Sequence, residues 1–148
     1  MGRLFNAYAE RKNITVEPSE IDAFIGKMDR SMREKGLTAI DGLTEQEREQ
    51  AEEMRTAMAR SMIERWKINR ALYEEYGGRI IFQQLGPEPL DAYRTFLEER
   101  ERAGDFQIDN KPLADAFWRY FTDDSIHVFM EAGSAQEKKA FSVPPWSN

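Results

Sequence analysis

The stretch TEQEREQAEEMRTAMARSMIERWKINRALYEEYGG, residues 44–78, contains neither proline nor glycine before its last two positions. Thr44 and Glu47 stand three apart at its start. In that spacing the threonine hydroxyl and the glutamate carboxylate each satisfy a backbone N–H that the first helical turn leaves without a partner. Nothing then stops the helix until Gly77-Gly78, where glycine suits the left-handed residue that closes a helix. The spacing predicts one helix of roughly thirty residues, against a usual length of about 11–12. Its first half carries a narrow stripe, Ala51, Met54, Met58 and Met62, among Glu, Gln and Arg, as expected of a helix with one covered face. In its second half Ile63, Trp66, Ile68, Leu72, Tyr73 and Tyr76 spread around the cylinder, so other elements are expected to surround it, with Trp66 largely buried.

Both flanks of this helix read as shorter helices. Leu4, Phe5, Tyr8 and Ala9 recur at helical spacing up to Lys12-Asn13, where Asn accepts the left-handed turn. Ile14-Thr15-Val16 is extended. Glu17-Pro18-Ser19-Glu20 opens a second helix whose apolar side is Ile21, Phe24, Ile25, Met28 and Met32 and which Gly36 ends. Residues 37–43 form a linker. Beyond Gly78, Arg79-Ile80-Ile81-Phe82 and Phe106-Gln107-Ile108 are short β-branched or aromatic runs expected to pair as a small two-stranded element. Gly86-Pro87-Glu88-Pro89 is expected to start a helix bearing Leu90, Tyr93, Phe96 and Leu97. Asp109 or Asn110 caps a further one, Asp123-Asp124-Ser125 interrupts it, and Ser134 to Glu137 repeats the capping box for a last short helix. Val143-Pro144-Pro145-Trp146 is an extended tail. The fold class is therefore all-α, one helical domain over 1–148 around a long central helix, with at most a minor two-stranded element. Residues 1–36 make a helical pair, 44–77 the central helix and 86–148 the C-terminal helices.

Composition bounds what such a domain does. The 148 residues include 9 Phe, 5 Tyr and 3 Trp, enough for a real core in a chain long enough to bury roughly two-thirds of its unfolded surface. Twenty-seven acidic against 21 basic side chains give a charge of -6, the wrong sign for gripping a phosphate backbone. No nucleic-acid partner is expected. No apolar run approaches the roughly 20 residues of a membrane span, so a soluble chain is expected. The start MGRLFN has no signal-peptide core, and Asn6 fails the Ser/Thr requirement of a myristoylation signal. With no cysteine, disulfides, thiolate catalysis and cysteine-ligated zinc are excluded.

No catalytic centre assembles from what remains. His127 is the only histidine, and Asp123 four residues earlier can orient it as a general base, but no nucleophile or second base accompanies the pair, and an ordinary capping or surface histidine explains it as well. The acidic runs 45–53 and 98–101 lack the loop and glycine pattern of a calcium site and read as solvated helix faces, so no metal or cofactor is expected. Gly77-Gly78 follows a helix, where a phosphate loop would follow a strand. A ligand pocket near Tyr73, Tyr76, Arg79, Asp91, Tyr93, Arg94 and His127 is one alternative, with aromatic walls and a few converging charges. The methionines are the more informative set. Met28, Met32, Met54, Met58 and Met62 form either a packed seam or a surface for varied apolar partners, a use suited to their flexible, polarizable thioethers.

The run Leu4-Phe5-Asn6-Ala7-Tyr8-Ala9 through Ile14-Thr15-Val16-Glu17 to Glu20-Ile21-Asp22-Ala23-Phe24-Ile25 resembles the start of the chaperone module of SurA/PrsA-type periplasmic foldases. In that family a helix ending in "yA" leads through a "gItV" link to a helix opening with "EId". The match covers about the first fifth of the chain. The family's parvulin isomerase domain is not recognisable, since Gly77-Gly78 with Phe82 is only superficially like it. The resemblance implies an exported, periplasmic protein, here without a signal peptide, that holds unfolded or extended polypeptide without catalysis. The expected peptide contacts are Met28, Met32, Met54, Met58, Met62 and Trp66. A small enzyme using the Tyr73 pocket and a structural homodimer sealed along the long helix are the alternatives.

Overall fold

A computed structural model describes residues 2–36 and 43–147. The spine is α3, Glu45–Tyr76, 32 residues and about 48 Å long. Its boundaries are those its chemistry sets. Thr44 Oγ1 accepts from the Glu47 N–H while Glu47 Oε2 accepts from the Thr44 N–H at 2.7 Å. At the other end the Gly77 N–H returns to the Tyr73 carbonyl at 2.8 Å, and both Gly77 and Gly78 have positive φ.

Before the spine come α1, Gly2–Arg11, and α2, Pro18–Glu34. Asn13 turns left-handed between them at φ 52°, the one non-glycine residue described that does so. Glu20 Oε2 accepts from the Glu17 N–H at the start of α2, and Gly36 at φ 70° follows its end. The expected linker falls mostly on residues 37–42, outside the described residues. After the spine come β1, Ile81–Gln83, β2, Gly86–Glu88, α4, Leu90–Arg102, and α5, Lys111–Thr122. A single 3-10 turn at Asp124–Ile126 and the short α6, Ala135–Ala140, complete the order. The Asn110 side chain caps α5 through the Leu113 N–H. Ser134 caps α6, and the reciprocal arm of the expected capping box lands one residue early, with Glu137 accepting from the Gly133 N–H.

The small sheet departs from expectation in its partner. β1 pairs with β2 in an antiparallel hairpin, Phe82 opposite Pro87, across the two-residue turn Gln84-Leu85. Residues 106–108 take no part in it. A two-residue connection closes at far smaller entropic cost than one spanning a whole helix, so the local pairing wins. Gly86-Pro87-Glu88 is consequently strand and not the start of a helix, and α4 begins only at Leu90, with Pro89 as its cap. A third extended segment joins on the other side of β1: the Phe82 N–H donates to the Val128 carbonyl and the Met130 N–H to the Ile80 carbonyl.

Two apolar clusters share the spine. Ile68 and Leu72 join Tyr8 of α1, Leu90, Phe96 and Leu97 of α4 and Phe121 of α5. Ala59, Ile63 and Trp66 join Ile21 of α2, Ile80, Phe141 and Trp146. One helix feeding two clusters on different sides explains why the apolar residues of its second half go all the way round.

Candidate functional site

Where α2 and α3 run antiparallel, their facing residues are fixed by an ion pair between Asp29 and Arg55. Stepping along α3 from Arg55 in turns of 3.6 residues, the covered row is Ala51, Arg55, Ala59, Ile63 and Trp66, with Ala59 and Ile63 fully buried. The methionines stand one residue back, rotated about 100° from it. Met54 is 74% exposed, Met58 45% and Met32 on α2 39%, while Met28 and Met62 are half-buried. The packed-seam reading thus fails for Met32, Met54 and Met58. The seam between these helices is built from a small alanine, an isoleucine and two ion pairs, Asp29–Arg55 and Glu20–Lys67.

The same rotation puts Phe24 and Met28 of α2 on the flank that carries Met54 and Met58. The opposite flank is a shallow groove in which Pro18, Ile21 and Ile25 lie among the charged Asp22, Asp29, Glu52 and Arg60. The outer side of α3 is acidic, with Glu49, Glu52, Glu53 and Glu64. The hairpin therefore carries its methionines on the flank away from that groove.

That side continues towards the C-terminus as a covered surface. After Met54, Met58 and Met62 the row along α3 reaches Arg65 and Asn69. Arg65 Nη2 meets Glu88 Oε2 at 3.2 Å, and Asn69 Nδ2 donates to the Pro87 carbonyl at 2.9 Å, so β2 sits on this part of the row. Glu88 is buried, and its other oxygen accepts from the Tyr120 hydroxyl at 2.8 Å. Burial and this carboxylate push the Tyr120 phenol up to about 12. One row of α3 is thus roofed by the β-hairpin in its second half and only partly covered in its first, least at Met54.

Trp66 has a different place from the methionines. It is 6% exposed, edge-on to Trp146 with ring centroids 5.2 Å apart, and its Nε1 donates to the Ala140 carbonyl at 3.3 Å. The tail is not free: Trp146 is as buried as Trp66, and Lys27 Nζ donates to the Pro145 carbonyl at 2.6 Å. The extended backbone expected of the prolines is not what forms: the Ser147 N–H and hydroxyl both donate to the Pro144 carbonyl and close a turn, and no periodic pattern in the sequence announces the one indole that anchors it.

The residues of the alternative pocket are distributed over separate contacts. Tyr73 packs on Phe141 in one cluster, and the Tyr76 hydroxyl donates to Glu99 at 2.8 Å beside the other. The Tyr93 hydroxyl is buried against the Asn69 amide, and Arg94 pairs with Glu98. Arg79 binds Asp91 at 2.9 Å and Asp124 at 2.7 Å and lies 4.3 Å from the centre of the Phe129 ring. Burial alone would raise the Asp91 carboxyl, but the side-chain and backbone N–H groups of Arg79 outweigh it and hold the carboxyl below its usual range. These groups satisfy one another. His127 Nε2 meets the Tyr120 carbonyl, the ring lying between Tyr120 and Phe129. Asp123 instead accepts from Ser125 and Arg119, so the Asp123–His127 pair that the spacing allowed does not form. Among the described residues no three His, Asp or Glu side chains gather as metal ligands, and no helix is long and apolar enough to cross a membrane.

No family model, curated protein or solved structure matches the chain.

Proposed function

We propose that the chain is a non-catalytic, chaperone-like binding domain that holds apolar segments of unfolded or extended polypeptide on the methionine side of the α2–α3 hairpin. The observation that carries this reading is the exposure of Met54 and Met58 on one flank of α3, with Met32 of α2 also 39% exposed, continuous with a row that the β-hairpin covers further along. Thioether side chains in water are the surface that accommodates partners of varied shape, because an unbranched chain with three rotatable bonds adapts to each. The likeness of residues 4–25 to the SurA/PrsA chaperone module supports the same class and adds an exported setting.

The test is suppression of light scattering by a thermally unfolding client protein. The parent chain delays aggregation at stoichiometric ratios, and the variant Met32→Ser/Met54→Ser/Met58→Ser loses most of that effect while keeping its helical circular dichroism. Undiminished suppression by a folded triple variant rejects the methionine side as the site.

A further inference from the structure

The second apolar surface of the hairpin is already occupied, and by a peptide. Residues 143–146 have no regular secondary structure, and Val143 and Pro145 are exposed, so a single side chain, Trp146, holds the segment down. Its indole enters the cluster of Ile21, Ile63 and Trp66, with Phe24 and Ile25 packed around it. One polar contact fixes the backbone, Lys27 Nζ on the Pro145 carbonyl, and Lys27 directly precedes Met28 on the methionine-bearing helix. The Ser147 N–H closes a turn on the Pro144 carbonyl at 3.1 Å, and a short turn with one main-chain carbonyl caught by a lysine and one aromatic in a pocket makes the few anchor contacts by which a short peptide sits on a receptor.

We propose that the pocket over Trp66 is a peptide-binding subsite adjoining the methionine side, filled in this chain by its own residues 143–146. A client segment of the same chemistry, an aromatic side chain carried on a prolyl turn, takes their place. The inference rests on the proposed function for its client. The tail acts as an intramolecular competitor whose effective concentration, on the order of millimolar for a short tether, keeps weak ligands out and yields to segments that engage the methionines as well. Trp66 becomes a client contact only when Trp146 leaves.

The experiment uses a fluorescently labelled peptide of residues 142–148 titrated into three proteins: the full chain, a chain ending at Phe141, and full-length Trp146→Ala. The shortened chain and Trp146→Ala bind the peptide, and the full chain binds it at least about tenfold more weakly. The same peptide with its tryptophan changed to serine binds none of them. If neither open protein binds while both keep the parent's helical spectrum, the subsite does not exist; if both unfold, the tail is core and the proposal is likewise overturned. Locking supplies the functional arm in a chain that has no cysteine of its own. Lys27→Cys/Ser147→Cys, bridged by a short bis-maleimide, suppresses client aggregation several-fold less than the unbridged variant. Equal suppression overturns displacement. Client suppression by the parent with no peptide exchange sinks this inference alone, whereas peptide exchange with no client suppression sinks the proposed function and leaves the subsite standing.

Discussion

Ile63→Ala and Met58→Ser separate the row of α3 that packs from the row that does not. The two residues are five apart on one helix and of similar apolar bulk. Ile63 is fully buried between α2 and the spine, so truncating it removes its transfer free energy and leaves a cavity, a cost of about 2–5 kcal/mol. Met58 is 45% exposed, so just over half of its side chain is covered. Full burial of a methionine is worth roughly 1.5–3 kcal/mol, and half of that, with the slightly poorer helix propensity of serine, puts Met58→Ser near 1–2 kcal/mol at most. For a domain of this size each kcal/mol moves the melting temperature by roughly 2–4 °C. Thermal melts at 222 nm therefore show Ile63→Ala about 4–20 °C below the parent and Met58→Ser within about 8 °C of it. A Met58→Ser melt as low as that of Ile63→Ala refutes the assignment of the covered row, and with it the exposed methionine side.

Two further perturbations test the joint after the spine and the ion pairs. At Gly78, φ is 89° and an added Cβ would lie 2.5 Å from the Asp91 Cβ, so Gly78→Ala combines a strained backbone, about 1–3 kcal/mol, with displacement of the carboxylate that binds Arg79; Gly77→Ala, with nothing within 4 Å, loses only the backbone part, and urea midpoints rank the two. Asp91 and Glu75 have carboxyls held below the usual range, Asp91 by Arg79 against the effect of burial and Glu75 first by the Tyr8 hydroxyl and then by Lys12. In both cases the unfolded chain takes up protons first as pH falls, so their stabilisation is present above the unfolded value near 4 and is lost below it; urea midpoints from pH 7 to 3 fall across that window, and Asp91→Asn flattens the fall.

Much of this fold lies open in local chemistry. The capping box at Thr44, the double glycine at 77–78 and the left-handed Asn13 are signals carried by one or two residues, and each acts where it stands. The split character of α3 was legible too, because surrounding a helix demands apolar residues on every side. The seam between α2 and α3 was not. Rows 54-58-62 and 55-59-63 have the same spacing, and hydrophobicity favours the first because Arg55 counts as polar until its partner Asp29 is known. The strand partner was misread because Gly86-Pro87 is as good a helix entrance as a strand, and only the two-residue reach back to Gln83 decides. Trp146 could not be placed at all: a single anchor has no period.

The half-covered row of α3 means that one continuous helix spans two cooperative units. From Ile63 onward its amides lie under two apolar clusters and open only when those clusters come apart. Before Ala59 the helix is held by its capping box, by Asp29 on Arg55 and by half-covered side chains, so those turns open and close locally, at a free energy well below that of global unfolding. Secondary structure is unbroken between Glu45 and Tyr76, and hydrogen exchange along it is expected to be graded, fastest before Ala59. The methionine side belongs to the looser end, so a partner bound there would meet a backbone that can adjust.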